Sequence, residues 1–581
     1  MSTLDLVLFL PLIGFLVMLF MPKDNPGVIR WAALGISGLI FAASLALIAP
    51  YWFAYPAGYT FETNKAWINF PPIHYHVGLD GLSLWLVLLT TFLTPISVAI
   101  SWKYIDHRVK EYFAFLILLE FGLIGVFVSV DLFLFYVFWE IALVPMYFLI
   151  GIWGHDRRIY ATVKFFLYTM AGSMLMLGAI IYLYNQTGTF DYTVLRNLLA
   201  SGHLALTTRA EMLLFLAFFA AFAVKVPLFP LHTWLPDAHV EAPTAGSVML
   251  ASVMLKMGTY GLLRFCVPLF PNAAHQSAPW VNALAITGII FGALVALVQP
   301  NMKKLVAYSS VSHLGFVVLG IFSFTQQGLD GAVFQMLAHG VATGALFILV
   351  GYLYERRHSL EISAYGGVAT AAPHLAIVFL ITTLASMGLP MLSNFVGEYL
   401  VLQGAAEANF SWAVVAALGV ILSACYMLWL YQRLFFGKVS ESVAHHVPDL
   451  TAREWAAILP LLALMVWLGS FPQTFLPAIS TQNAVILQQT QQSPVAAKLQ
   501  TSPKALVAHA PRRAASTLVF WMRPITAPIA MKTCGPIVGQ VANLRTDCQS
   551  VHPGAARTSG METTSLTGVF SRVSTPEEGA R

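Results

Sequence analysis

Six titratable side chains stand in the middle of long apolar runs. They are Glu140 in FYVFWEIALVPMY, Lys225 in FAVKVPLFPLHTW, Lys256 in SVMLKMGTYG, His313 in SSVSHLGFV, His339 in QMLAHGVA and Glu398 in NFVGEYLVL. A charge at the centre of a membrane helix costs about 3 kcal/mol on insertion scales. The two glutamates and two lysines together cost on the order of 10 kcal/mol, comparable to the net stability of a whole domain. Groups of these types, placed in a low-dielectric interior and bridged by water, can gain and lose protons, and histidine does so nearest neutrality. A proton relay is the chemistry this set suggests. The bland reading is that the charges pair to hold helices together, yet one Glu–Lys pair would serve for that, and six groups on six helices exceed it. Glu120, mid-span in LLEFGLIG, is a seventh candidate. Lys164 lies near a span end, where a lysine can reach the interface without functional meaning.

The elements that must hold these residues are membrane helices. The chain has 581 residues, 58% hydrophobic and 10% charged, against about 25% charged in soluble domains. Its mean hydropathy is +0.74. Runs of roughly 20 apolar residues predict an all-α polytopic membrane protein of about fourteen transmembrane helices. They fall at about 4–21, 31–53, 80–101, 112–130, 132–151, 162–184, 211–233, 246–268, 280–298, 304–323, 332–355, 374–404, 411–436 and 456–475. The start of the chain has no charged leader and no small-residue cleavage site, so the first run is expected to be a retained helix. Loops after odd-numbered helices carry Lys23, Arg30, Lys103, Arg108, Lys110, Arg157, Arg158, Lys303, Lys304, Arg356, Arg357, Arg433, Lys438 and Arg453, whereas the other side has Lys65, Arg196, Arg209 and Arg264. By the positive-inside rule the first set faces the cytoplasm, and both ends of the core face the periplasm of a bacterial inner membrane. The four cysteines, Cys266, Cys425, Cys534 and Cys548, form no CxxC or Cys/His cluster. No metal-binding or cofactor-binding residues are expected in this chain.

Two helices are expected to break inside the membrane. Lys225 is followed by Pro227 and Pro230, and proline removes a backbone donor and clashes with the preceding turn. The twelfth span is interrupted by GLPMLSN, with Pro390, just before Glu398. Broken helices at membrane depth are tolerated where they are buried in protein or line a wet cavity, and paired breaks point to a transport site. Glu140 to Lys225 and His313 to Glu398 are both separations of 85 residues. Helices 4–8 and 9–13 then read as two inverted five-helix repeats. This gives segments 1–110 (helices 1–3), 111–270 (first repeat), 271–440 (second repeat), 441–490 (helix 14) and 491–581, a basic tail expected to be disordered. Residues 494–581 hold 10 Lys/Arg and 4 Asp/Glu. The basic balance of the chain therefore lies in that tail, whose Arg512–Arg513 and Leu518–Met522 could touch lipid.

Several stretches carry a resemblance. They are HVGLDGLSLWLVLLTTFLTPI (76–96), DLFLFYVFWEIALVPMYFLIGIWG (131–154), FAVKVPLFPLHTWLPDAHVEAPTAGSVMLASVMLKMGTYGLLRF (222–265), NMKKLVAYSSVSHLGF (301–316) and GLPMLSNFVGEYLVL (388–402). Over nearly all of 1–480 the chain resembles the antiporter-like membrane subunits of NADH-quinone oxidoreductase (respiratory complex I), and Glu398 on the broken twelfth helix is similar to the subunit M pattern. The resemblance implies a proton-translocating subunit without a redox centre. NADH, FMN, iron–sulfur clusters and quinone would belong to partner subunits, and the L and N subunits would be its neighbours. It implies that Glu140 and Lys225 form a pair coupled to a neighbouring subunit. Lys256, His313 and His339 would continue a central axis, and Glu398 would exchange with the positive side. His232, Asp237 and His239 would either line the approach to Lys225 or cap a loop. The tail departs from the family pattern.

Two alternatives use the same residues. An Mrp-type sodium/proton antiporter subunit would differ in its partners, and a passive scaffold would tolerate replacement of paired charges by apolar groups. No GxSxG or HExxH pattern supports an intramembrane hydrolase.

Overall fold

In the bilayer every backbone polar group must be satisfied within the protein, so apolar runs of this length fold as helices. The computed structural model describes residues 2–52, 54–438 and 447–491; the tail expected from about 491, with Arg512–Arg513 and Leu518–Met522, lies outside the described residues. Twelve described helices are long and apolar enough to cross a membrane. Two further crossings are interrupted. The seventh is Thr208–Lys225 followed by Trp234–Glu241, and the twelfth is Pro373–Ser386 followed by Ser393–Ala408. Together they make the fourteen crossings expected, with the breaks where the prolines placed them.

The other spans run, in order, over Thr3–Phe20, Pro26–Tyr51, Ser83–Tyr104, Val109–Val128, Leu132–Trp153, Arg158–Thr187, Thr244–Leu269, Pro271–Leu297, Met302–Ile321, Gln326–Arg357, Phe410–Phe435 and Ala452–Ser470. Short polar side chains start several of them. Asp131 accepts the N–H groups of Phe133 and Leu134. Asn301 accepts those of Lys303 and Lys304. Thr451 and Glu454 cap each other's backbone. Each cap satisfies donors that a helix leaves open at its N-terminus.

The structure departs from the sequence expectation in several places. The second span begins at Pro26 rather than 31, because Asn25 caps it through Val28 N–H. A two-stranded antiparallel hairpin, Thr60–Ile68 with Ile73–Leu79, stands in a chain expected to be wholly helical. A further helix, Leu476–Gln491, follows the fourteenth span; its polar face is too rich in Gln, Asn and Thr for a crossing, and it buries Gln482 and Asn483 against the bundle. Arg264, counted among the loop charges, is instead buried within the eighth span and paired with Asp80.

The eleventh span is the spine of the molecule. It has 32 residues, about 48 Å at 1.5 Å per residue, and its most apolar stretch is wholly buried. The second half of the twelfth span lies against it without intervening side chains. A Cβ on Gly397 would come within 2.8 Å of Gln335 Cα, so only glycine permits this approach.

The hairpin is tied to the bundle by a charged cluster at the surface opposite the arginine-rich loops. His76 Nδ1–H donates to Asp191 at 2.5 Å, and its Nε2 meets Glu62 at 2.7 Å. Burial opposes the imidazolium, but the bonds to Asp191 and Glu62 outweigh it, so His76 titrates above the ordinary histidine range. Burial also opposes the Asp191 carboxylate, yet His76 and Thr193 hold its pKa at about 2. The raised pKa of His76 contributes stability that is full below about pH 6.5 and is lost as pH rises through the folded value; the Asp191 contribution is lost only as pH falls through about 2. The thermal midpoint of the solubilised complex should therefore fall between pH 6 and 9. His76→Gln should lower the midpoint by roughly 2 °C at pH 6 and flatten this part of the pH profile, which differential scanning fluorimetry would read.

Candidate functional site

Four of the six titratable side chains expected at membrane depth, Lys256, His313, His339 and Glu398, meet along the eleventh span. At one level Glu398, from the second half of the twelfth span, receives Nδ1–H of His313 at 2.7 Å and Nε2–H of Gln335 at 3.0 Å on the same oxygen. Its other oxygen faces Gly388, where a Cβ would sit 3.1 Å away and where φ is +81°. The break thus does two things: its positive-φ glycine reverses the chain, and the missing side chain leaves room for the carboxylate. Asn394 donates across the gap to Ser386 O at 3.0 Å. His313 Nε2 meets the Tyr426 hydroxyl at 3.2 Å, and Ser423 Oγ–H donates to Tyr426 at 3.1 Å.

One turn along the same helix, His339 accepts Lys256 Nζ–H on Nδ1 at 2.7 Å. The His313 and His339 rings lie 5.7 Å apart, centroid to centroid. Lys256 also donates to Ala251 O at 2.6 Å. Its local backbone explains this second partner: Leu250–Met254 is a π-helical segment, and such a bulge alters the carbonyl bonding of the preceding turn. His339 Nε2 has no partner. Lys256, His339, His313 and Glu398 therefore form one contiguous string.

The other expected pair is differently disposed. Lys225 is buried at the C-terminal end of the first half of the seventh span, with no hydrogen-bond partner for Nζ. It lies 5.5 Å from the Trp139 ring centroid and 5.4 Å from that of Phe165, an aromatic environment that attracts a cation. Glu140 acts on it electrostatically, without a direct bond, and is only half-buried. The close Glu140–Lys225 pair expected from the sequence is thus two neighbours with aromatic rings beside the ammonium group.

The secondary candidates separate. Lys164 is ion-paired to Asp237 at 2.7 Å, so it does more than reach the interface. His232 is buried with Nδ1 unpartnered and lies among Phe229, Phe291 and Tyr308. His239 is not a loop cap at the surface: it is fully buried, stacked 4.5 Å from Phe347 of the eleventh span, with both ring nitrogens unpartnered. Lys303 and Lys256 both act on it, which associates it with the Lys256 string. Glu120 is fully buried, and Thr94 is the polar side chain that acts on it.

Sequence reasoning missed Gln335 and Tyr426, which look like ordinary polar residues in apolar runs, and the pair Asp80–Arg264. Asp80 caps the third span through Leu82 and Ser83 N–H while its second oxygen receives Arg264 Nη2–H. Both are buried. The aspartate in HVGLDGLSLW and the arginine ending KMGTYGLLRF were visible as charges beside apolar runs; their contact across 184 residues was not.

The fold and the string define a class: a polytopic membrane protein with two interrupted helices and an interior row of titratable groups. Comparison with known proteins narrows the class. Residues 129–424 match the family described as "NADH:quinone oxidoreductase/Mrp antiporter, TM". NADH-quinone oxidoreductase subunit M of Rhodobacter capsulatus is 47% identical over 498 residues, 84% of this chain and 96% of that protein. A chain in the structure of respiratory complex I from Thermus thermophilus superposes with a TM-score of 0.76 at 33% identity, covering 84% of this chain and 99% of that one. A chain of the Mrp complex from Dietzia sp. shares the fold, with a TM-score of 0.72 at 21% identity over 85% of this chain and 100% of that one. The chain belongs to the NADH:quinone oxidoreductase/Mrp antiporter membrane-subunit family, on its NADH-quinone oxidoreductase subunit M branch.

Removing one member of the buried Asp80–Arg264 pair leaves an uncompensated charge, worth about 3–5 kcal/mol. Asp80→Asn should therefore cut the yield of assembled complex sharply on native gels. The double variant Asp80→Leu/Arg264→Met should recover most of it.

Proposed function

We propose that this chain carries protons across the membrane through Lys225, Lys256, His339, His313 and Glu398, with Glu140 setting the charge state beside Lys225. As a member of its family it is an antiporter-like, proton-translocating subunit of NADH-quinone oxidoreductase. NADH oxidation and quinone reduction take place in other subunits of the complex, which hold the NADH, FMN, iron–sulfur and quinone sites. The antiporter-like L and N subunits are its neighbours. The membrane is the bacterial inner membrane, with the arginine-rich loops in the cytoplasm and Glu398 serving the periplasmic side.

One observation carries this reading: four titratable groups from four different spans touch in sequence, Lys256 to His339 and His313 to Glu398, with the two imidazoles adjacent. Neutralising pairs would have sufficed to hold helices. A string that mixes ammonium, imidazole and carboxylate, with His339 Nε2 left open, suits stepwise proton exchange with water in the gaps. Lys225 lacks a direct partner, so its charge responds to the position of Glu140, and a shift of that carboxylate would change the proton affinity of the lysine. The Mrp-type reading is less favoured, since the likeness to that complex is one of fold at 21% identity.

Glu398→Gln keeps the shape and the hydrogen bonds and removes the titration. In inverted membrane vesicles it should lower NADH-driven proton uptake by roughly tenfold or more, with assembly intact on native gels. Wild-type uptake in an assembled Glu398→Gln variant refutes the axis.

A further inference from the structure

We infer that protons reach this axis from the cytoplasmic face through a built inlet, Glu241–Lys303–His239, with Lys303 the group that passes them inward. The inference rests on the translocation reading above and adds the route by which the axis is filled.

Lys303 sits in the first turn of the tenth span, where Asn301 caps the helix. Its side chain is buried, and Nζ donates to Ala242 O at 2.6 Å and Val240 O at 3.4 Å. These carbonyls end the Trp234–Glu241 helix and flank Glu241, whose carboxylate is the charged group that acts on Lys303. Glu241 in turn reaches the surface loop between the fifth and sixth spans. Its Oε2 accepts Arg157 N–H at 2.9 Å, and its carbonyl accepts His155 N–H at 3.0 Å. Burial, and secondarily the Lys303 charge, press the His155 pKa down to about 4; Asp156 and Arg157 act beside Glu241 and Lys303 at this mouth.

Inward of Lys303 lies His239. It is fully buried, both its ring nitrogens lack partners, and both Lys303 and Lys256 act on it. A buried imidazole with two open nitrogens is costly unless water or a transferred proton meets them. The eleventh span measures the route. His339 bonds Lys256, Phe347 carries the His239 ring, and the Tyr354 hydroxyl meets His155 at 3.3 Å. At 1.5 Å per residue these positions are separated by about 12 and about 10 Å. His239 therefore stands midway between the arginine-rich surface and the Lys256–His339 contact.

A purely structural role for Lys303 is capping the Trp234–Glu241 helix, and arginine would serve there equally. Arginine keeps the charge and the donors but does not release its proton. The test measures NADH-driven proton uptake and assembly for Lys303→Arg, Lys303→Met and His239→Asn in inverted vesicles. If the inlet is correct, all three assemble, and uptake falls by roughly tenfold or more with no rescue by arginine. Uptake above half the wild-type rate in assembled Lys303→Arg or His239→Asn overturns it, as does failure of both to assemble, which would mark the two residues as structural posts. Glu398→Gln in the same series separates the two ideas. Wild-type uptake in Glu398→Gln sinks the translocation reading itself, whereas loss there with normal uptake in Lys303→Arg sinks the inlet alone.

Discussion

An ammonium group far from water must find acceptors, and Lys256 finds two: a carbonyl that a π-helical segment leaves turned toward it and the Nδ1 of His339. Neither partner carries a negative charge. The site therefore holds the lysine in place without fixing it as an ion, unlike Arg264, whose partner Asp80 is a carboxylate at hydrogen-bond range. The contrast separates two uses of buried charge within the same eighth span. Arg264 closes an electrostatic pair that holds the hairpin end of the bundle together, whereas Lys256 meets an imidazole nitrogen and a backbone carbonyl.

Much of the architecture follows from keeping that arrangement rigid. The eleventh span is buried throughout its apolar length and collects its polar partners on residues Gln335, His339, Phe347 and Tyr354. Glycines let the twelfth span approach its backbone, which brings Glu398 to Gln335 and His313 rather than a helix diameter away. The break at Gly388 serves the same end, since the carboxylate occupies the space a side chain would take. In the seventh span the interruption lets Lys225 end one helix among aromatic rings while Trp234–Glu241 sends His239 to a different neighbour, the Lys256 string. Two residues only fourteen apart in sequence thus reach different neighbours.

The sequence by itself determined the membrane setting, the fourteen crossings, the two breaks and several of the buried titratable groups, though not Asp80, Arg264 or Lys303. Each of these depends on local chemistry: an apolar run of bilayer length, a proline inside it, a charge where charges are expensive. The tertiary structure decided which of these groups touch. Equal spacings of 85 residues suggested two repeats, yet His313 and Glu398 are bonded at 2.7 Å whereas Glu140 and Lys225 are not bonded. Contact depends on how helices rotate and tilt against one another, and that is set by glycine packing and helix breaks far from the pair. His239 shows the same limit: its place in PDAHVE reads as a loop position, but the short helix after the break carries it into the core against Phe347. The hairpin and the Leu476–Gln491 helix were missed for a related reason, since both are polar enough to resemble connecting chain and gain their shape only by docking on the bundle.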